Sequence, residues 1–417
     1  MKTGHILLLT LTLGFFPTIS QAADPVFRDV SANLPAHQYT GDWEHFVGGG
    51  VAILDCDHDS LPDIFAAGGS SPAALFRNQG AFRFKAGPLP DLTETIGAYP
   101  LDIDADGWLD LFVLRVGPNV LLKGGPDCSF AVANETFGLP QADKWSTAFT
   151  AWWEDDSRPV LAVGDYVDRG NPKGPFFACD SNEILRPGVT GYARTDLVPG
   201  FCPLSMLAAQ DARHRLTLRL SNDRQYYVRG GFEQMWDIRD RRFLTEADGW
   251  KPVSIWGMGI ASRDLNGDGR DEVMLTSMAD QLLELAQPDG SYKNAPYGMG
   301  TTAHIPFDGS DGRPSTGWHA QFGDVDNDGL ADLFIAKGNV DQMPSSAIHD
   351  PNNLLIQRSD GSFAEKADIA GVATTQRSRG AALADFDLDG RLDLVVVNRR
   401  AVMELYRNET PATGHWL

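Results

Sequence analysis

The chain has 417 residues, a hydrophobic content of 42% and 10 tryptophans, a composition that indicates a well-filled folded interior and excludes a disordered chain. Its formal net charge of −21 at pH 7 argues against nucleic acid or an anionic membrane surface as a partner, because both would repel it. The length exceeds that of one small domain and fits a single large repeat architecture.

The first segment of the chain has the features of a secretory signal. Lys2 precedes an apolar run over residues 6–16, and the small-residue sequence Ser20-Gln-Ala22 follows it. The run is too short to span a bilayer, so we expect a signal peptide over residues 1–22 that is cleaved after Ala22. The sequence predicts a secreted or periplasmic mature protein over residues 23–417, with no transmembrane segment.

After this segment one order of elements recurs along the chain. Each unit has an apolar strand, a turn, a second apolar strand, a strand containing Asn or Arg, and a strand centred on Phe. In the first unit these elements are Val51–Leu54, the turn from Asp55, Ile64–Ala67, Ala74–Asn78 and Phe82–Phe84. The turns start at residues 55, 102, about 154, about 211, 264, 324 and 385. Spacings of this size are typical of four-stranded blades.

Seven such units predict an all-β fold, a seven-bladed β-propeller, because each unit can bury both faces only by packing radially against its neighbours. In the third and fourth units the acidic turn is lost, and the fourth continues through strand-like fragments at Tyr226–Val228 and Met235–Ile238. The last unit supplies three strands and ends at Asn408. We expect the N-terminal fragment near residues 26–30 to add the fourth strand, close the ring and remove an exposed edge.

Five of the seven turns between the first and second strands follow the pattern D-x-D-x-D-G-x-x-D or a close variant. Alternating acidic residues on a tight turn present the oxygen ligands that calcium prefers, so the sequence predicts four to five Ca²⁺ ions. In the first turn Ser60 replaces the glycine, and whether that turn binds calcium stays open. The predicted ligands at positions 1, 3, 5 and 9 are Asp55, Asp57, Asp59 and Asp63; Asp102, Asp104, Asp106 and Asp110; Asp264, Asn266, Asp268 and Glu272; Asp324, Asp326, Asp328 and Asp332; and Asp385, Asp387, Asp389 and Asp393.

Four cysteines allow three pairings. Cys179 and Cys202 flank an irregular insertion and are the favoured disulfide, while Cys56 either pairs with Cys128 or both stay free. No C-x-x-C spacing supports a zinc site.

The turns and their flanking strands resemble the FG-GAP/VCBS repeats of integrin α-subunit propellers and of many bacterial secreted proteins. The run Asn352–Phe363, and Ala370-Gly-Val372 ahead of Arg379, are similar to the cartilage acidic protein and ASPIC/UnbV group. The resemblance implies a calcium-binding propeller. It also implies a further module that begins near a His-Trp-Leu. This sequence ends at His415-Trp416-Leu417, so we expect either that the module is absent or that the sequence is truncated.

The sequence predicts a binding module rather than an enzyme. No G-x-S-x-G elbow or H-E-x-x-H helix is present, and no acid/base pair can be selected among so many carboxylates. Aromatic residues in loops opposite the acidic turns, at 41–45, 254–256 and 316–319 and beside the long connection 293–315, suit a protein or a glycan. The alternatives are a calcium-dependent polysaccharide lyase or hydrolase on a propeller scaffold, and a scaffold for a missing partner module.

Overall fold

The protein is represented by a computed structural model, which describes residues 24–155, 158–223, 231–278, 281–302, 315–338 and 350–411. The predicted signal peptide, the fragment Tyr226–Val228 and the C-terminal tripeptide 415–417 lie outside the described residues.

Each repeat folds as an antiparallel four-stranded sheet, and the described residues form seven such sheets. In chain order the strands are, in blade 1, Val51–Leu54 (β2), Asp63–Ala66 (β3), Ala74–Asn78 (β4) and Phe84–Ala86 (β5); in blade 2, Thr95–Leu101 (β6), Asp110–Arg115 (β7), Val120–Gly125 (β8) and Ser129–Val132 (β9); in blade 3, Ser146–Trp152 (β10), Val160–Asp165 (β11), Asn182–Gly188 (β12) and Gly191–Leu197 (β13); in blade 4, Pro203–Gln210 (β14), Leu216–Asn222 (β15), Gln234–Asp237 (β16) and Arg242–Phe243 (β17); in blade 5, Gly257–Arg263 (β18), Glu272–Ser277 (β19), Leu282–Ala286 (β20) and Tyr292–Asn294 (β21); in blade 6, Gly317–Gly323 (β22), Asp332–Lys337 (β23), Asn353–Gln357 (β24) and Phe363–Glu365 (β25); and in blade 7, Ser378–Ala384 (β26), Asp393–Asn398 (β27), Glu404–Asn408 (β28) and the N-terminal Phe27–Asp29 (β1). Two single-turn helices, Asn134–Phe137 (α1) and Ala367–Ala370 (α2), follow the last strands of blades 2 and 6.

The sequence pattern of the second strands reflects the packing of one blade against the next. β11, β23 and β27 are buried along their whole length, and β7 is buried except at Arg115. A strand covered on both faces carries consecutive apolar residues instead of alternating ones. The runs Leu111–Leu114 and Leu394–Val397 are therefore core strands between neighbouring blades.

The first strands of successive blades contact one another around the ring, and β26 contacts β2, which closes it. The first strands therefore lie innermost. Their close approach requires glycine at two positions: a Cβ atom on Gly50 would lie 2.9 Å from the Gly97 Cα, and Gly49 has a φ of +84°.

Blade 7 is completed from the two ends of the described chain. β1 pairs with β28 in antiparallel register, with Phe27 opposite Asn408 and Asp29 opposite Tyr406. Phe27 is only 7% exposed and packs with Leu394 and Tyr406. The N-terminal strand thus covers the edge that β28 would otherwise expose.

Two outer strands have no counterpart among the sequence predictions. β13 has four consecutive exposed residues, 193–196, so it lacks the alternation by which a strand is recognised. In blade 4, Met235 and Trp236 belong to the third strand, and the fourth is the two-residue β17.

The predicted connection from Lys293 begins inside β21, so the loop itself starts after Asn294.

Both disulfides link neighbouring blades. Cys179–Cys202 connects the loop between the second and third strands of blade 3 to the residue before the first strand of blade 4, which confirms the favoured pairing. Cys56–Cys128 connects the first turn of blade 1 to the outer part of blade 2 and settles the alternative that the sequence leaves open. None of the described helices is both long and apolar enough to cross a membrane.

Candidate metal centres and the opposite face

The first carboxylate of each acidic turn accepts backbone hydrogen bonds that shape the turn. In the turn of blade 6, Asp324 Oδ1 accepts a hydrogen bond from the Asp328 N–H (3.1 Å), and Oδ2 accepts one from the Gly329 N–H (2.9 Å). The corresponding pair of bonds recurs in blades 1, 2, 5 and 7. Five turns of the described chain therefore share one backbone conformation.

Ser60 adopts the same conformation as the glycines of the other four turns. Its φ is +70°, in the left-handed region, and its N–H binds Asp55 Oδ2 at 2.9 Å, as the glycine N–H does elsewhere. A residue with a Cβ atom is strained in this region by about 1 kcal/mol. The first turn thus has the geometry of the others at a conformational cost.

The ninth-position carboxylate joins the turn to the third strand of its blade. Asp332 accepts hydrogen bonds from the N–H of Val325 inside the turn and from the N–H of Gln357 at the end of β24, both at 2.9 Å. Asp63, Asp110 and Asp393 make the equivalent pair of bonds. These carboxylates are buried, and their position depends on the pairing of the second and third strands.

Three carboxylates converge in each of four turns, with ligand oxygens within 4.8 Å of one another. The four groups are Asp55, Asp57 and Asp63; Asp102, Asp104 and Asp110; Asp324, Asp326 and Asp332; and Asp385, Asp387 and Asp393. In the blade 5 turn the neutral Asn266 takes the third position, and the carboxyl group of Glu272 takes the ninth. Among the described residues, the structure therefore brings together positions 1, 3 and 9 in four turns, while the groups include neither the fifth-position residues Asp59, Asp106, Asp328 and Asp389 nor the blade 5 turn.

The electrostatics of these clusters are unfavourable for the charged carboxylates by themselves. Burial, and then the charges of Asp326 and Asp324, raise the pKa of Asp332 to about 8. Burial similarly raises the pKa of Asp393 to about 7 and that of Asp63 to about 6. A cation among the carboxylates would reverse this effect by favouring their charged forms.

The donor set fits a hard divalent cation. All ligand candidates are oxygen atoms, and one oxygen each of Asp57 and Asp387 is buried without a hydrogen-bond partner. Asp57 and Asp387 thus each keep one oxygen that makes no hydrogen bond with the described chain. Such oxygen-only clusters on a flexible turn suit Ca²⁺ better than the zinc or copper sites that require nitrogen or sulfur.

Basic side chains of the third strands also reach three of these turns. Lys123 Nζ lies 2.6 Å from carboxylate oxygens of both Asp104 and Asp106 in blade 2. Arg407 lies 2.7 Å from Asp387 in blade 7, and Arg77 pairs with Asp57 in blade 1. The sequence shows a recurring Arg-Asn pair at the end of this strand, but only the register places the basic residue beside the third carboxylate.

The acidic turns of blades 1, 5, 6 and 7 are also tied to the next blade. The side-chain amide at the end of a third strand donates to the carbonyl of the second turn residue in the preceding blade. These bonds run from Asn78 to Phe386 (2.8 Å), from Asn408 to Val325 (2.8 Å) and from Gln357 to Leu265 (3.1 Å). In blade 2 the equivalent residue is Gly124, and the disulfide Cys56–Cys128 supplies the link to the second turn residue of blade 1. The turns are consequently part of the packing between blades.

The opposite end of the ring has a recess of about 110 Å³ on the propeller axis. Its lining includes Gly50, Tyr99, Trp318, His319 and Arg379, contributed by the starts of innermost strands and the loop before β2. The Arg379 guanidinium lies 4.2 Å from the centre of the Trp318 ring. Desolvation of the His319 imidazole lowers its pKa to about 4, so the ring is neutral at physiological pH.

The aromatic residues predicted for this face do not all line the recess. Trp43, in the loop 41–45, packs edge-on against the buried Trp145 at 5.0 Å and belongs to the core between blades. Trp318 and His319, which the sequence predicts in a loop, lie near the start of β22 and line the recess. Residues 303–314 of the predicted 293–315 connection lie outside the described chain.

Two carboxyl groups of the described chain outside the acidic turns have pKa values raised to about 7 or above, and both are enclosed. Burial raises the pKa of Asp165 to about 7 and that of Glu233 to about 8, and both side chains belong to residues with 0% exposure. A general acid or base must reach the substrate within hydrogen-bond distance. Neither residue meets this requirement as the described chain stands.

Comparison with known proteins agrees with this architecture. The family model for the FG-GAP-like repeat matches residues 55–113 and 324–396, which contain four of the five acidic turns. The chain is therefore a seven-bladed β-propeller that contains FG-GAP-like repeats.

Its relatives include cartilage acidic protein 1. The Homo sapiens protein is 28% identical over 157 residues, or 36% of this chain and 22% of the relative, and the Mus musculus protein is 27% identical over the same length. The chain thus aligns with about a fifth of the length of these relatives. Among solved structures, BBS1N in complex with ARL6DN, soaked with lead, has a TM-score of 0.56 at 10% identity and covers 95% of this chain and 99% of its own, a likeness of fold alone.

Proposed function

We propose that the chain is a secreted or periplasmic calcium-binding propeller that acts as an adhesion-type module for a protein or a glycan. The observation that carries the proposal is the division of the ring into two faces. One face gathers clustered carboxylates at the turns, and the other has a recess lined by Trp318, His319 and Arg379. The similarity to cartilage acidic protein 1, although partial, supports a binding role over a catalytic one.

The residues that would hold calcium are the oxygen donors at positions 1, 3, 5 and 9 of the five turns. Bound Ca²⁺ would supply positive charge to neutralise carboxylates that otherwise repel one another. The chain's own residues set the cluster geometry: Asp324 and its equivalents shape the turn, and Asp332 and its equivalents fix it to the third strand. The role of the metal is therefore structural in this proposal.

The recess is the proposed ligand face. Aromatic rings beside a planar guanidinium offer flat, partly apolar surfaces that stack on sugar rings or on protein side chains. Because Trp318 lies near the start of an innermost strand, the β-sheet holds it in place. Ligand binding would therefore cost little conformational entropy at this residue.

The test is a retention assay on calcium-loaded protein with a panel of polysaccharides and matrix proteins, scored for both binding and new chain ends. We expect retention without cleavage, and we expect Trp318→Ala to reduce it at least about tenfold by removing the stacking surface. The matched control is Trp153→Ala, because Trp153 is 52% exposed and follows β10 at the opposite end of the ring.

A melting curve of each variant checks that the fold is intact. Equal retention by the two variants would remove the recess from the proposal, and no retention by the parent protein would contradict the binding role. New chain ends would support the lyase or hydrolase alternative instead.

A further inference from the structure

Strand register identifies one equivalent position in the third strand of every blade that has an acidic turn. This position directly precedes the residue whose N–H donates to the ninth-position side chain. In the blades where the residue at this position is basic, its side chain contacts the acidic turn. The occupants are Arg77, Lys123, Leu285, Ile356 and Arg407, in blades 1, 2, 5, 6 and 7 respectively.

Three of these residues are cations already in contact with a turn. Lys123 bridges Asp104 and Asp106 at 2.6 Å. Arg407 contacts Asp387 at 2.7 Å and Asp389 at 3.3 Å, and Arg77 pairs with Asp57. The Lys123 and Arg407 side chains are only about one third exposed, so solvent and salt screen these pairs less than pairs on an open surface. A divalent ion that enters the turn must displace or repel the tethered cation.

Blades 5 and 6 have the uncharged residues Leu285 and Ile356 at this position. Ile356 is buried in the core between blades, and the turn residue that corresponds to Arg270 and Arg391 in other blades is Leu330. The blade 6 turn also has carboxylates at all four donor positions, whereas blade 5 has the neutral Asn266 and an Arg270 that contacts Asp268 at 3.3 Å. The blade 6 turn therefore has four carboxylates at the donor positions and an apolar residue both at the third-strand position and after the turn glycine.

We propose that the charge of the third-strand residue, together with the charges within the turn, sets the calcium affinity of each turn, so that Asp324–Asp332 is the tight site and the turns of blades 1, 2, 5 and 7 bind more weakly. The inference rests on the calcium binding proposed above and adds a ranking of the sites. Opposite charges in direct contact shift equilibria at carboxylates by about one to three powers of ten. We expect a difference of about ten- to hundredfold between the tight site and the others.

The test is isothermal titration of the chelator-stripped mature chain with CaCl₂ at 0.15 M KCl. The parent protein is expected to show one tight site and several weaker ones. Lys123→Met removes the charge but keeps an unbranched stem, and it should raise the number of tight sites from one to two. Arg77→Met provides a second variant with the same expectation in blade 1.

The matched control is Lys85→Met. Lys85 is exposed and lies opposite Arg77 on the next strand outwards, so the variant makes the same charge change without altering a turn contact. It should leave one tight site. Asp326→Asn should remove that site and so assign it to blade 6.

The outcomes separate the two proposals. Calcium sites of equal affinity in the parent protein, or a single tight site retained in both Lys123→Met and Arg77→Met, would overturn the ranking and leave calcium binding standing. No calcium binding at all would overturn both. A second tight site in the variants, with none added by Lys85→Met, would support the ranking.

Discussion

Removal of calcium with a chelator is expected to lower the melting temperature of the mature protein by more than about 10 °C. A ligand that binds only the folded state stabilises it by about 2.7 kcal/mol per site at a hundredfold excess over Kd, and the proposed sites act together. The effect should be large because the turns are tied into the ring: Asn408 binds the blade 6 turn, and Asn78 binds the blade 7 turn. Loosening one turn therefore weakens two blades.

Single substitutions assign this effect to the turns. Asp326→Ala and Asp387→Ala should each lower the melting temperature in calcium by several degrees and matter much less in chelator, because only the calcium-bound state uses these oxygens as ligands. Asp360→Ala is the control, since Asp360 is an exposed turn residue of blade 6 that binds Ser362 and takes no part in an acidic cluster. Equal shifts with and without chelator would show that the turns are not metal sites.

Phe27→Ala is expected to destabilise the protein by about 3–5 kcal/mol, the usual cost of removing a buried phenylalanine. Phe27 is the buried residue of the strand that closes blade 7, and it packs in one cluster with Leu394 and Tyr406. Its loss leaves a cavity and weakens the pairing that covers the edge of β28. Chemical denaturation in saturating calcium measures the change as a lower midpoint.

The neighbouring Arg28 provides the control for this experiment. Its side chain is 53% exposed and pairs with Glu409 at 2.6 Å on the surface. Surface ion pairs contribute less than about 1 kcal/mol, so Arg28→Ala should shift the midpoint little. A Phe27→Ala protein as stable as Arg28→Ala would mean that β1 does not close the ring in solution.

The propeller could be predicted from the sequence because its strongest signals are local. A run such as Leu111–Leu114 next to Asp102–Asp110 contains both the buried strand and the tight turn within a few residues. Repetition of that unit at intervals of about 50 residues is typical of blades. The positions of the acidic turns in the fold follow from the same local pattern.

The remaining features depend on contacts between residues far apart in the sequence. The sequence around Cys56 does not indicate that Cys128 lies across the interface between blades 1 and 2. The sequence around Gly124 likewise does not indicate that this disulfide stands in place of the side-chain amide hydrogen bond that links other blades. The contact of Lys123 with Asp104 depends on the register of β7 and β8. Similarly, the sequence places Trp43 in a loop, and only the folded structure shows that it packs against Trp145.

The most direct test of the calcium proposal is a count of bound ions. The mature protein is dialysed to equilibrium against millimolar calcium, and calcium per chain is determined by elemental analysis with the dialysate subtracted. We expect four to five ions per chain, the fifth depending on the turn that contains Ser60. A count near zero would show that the clustered carboxylates are solvated acidic turns and would contradict the proposed role of calcium in holding the propeller together.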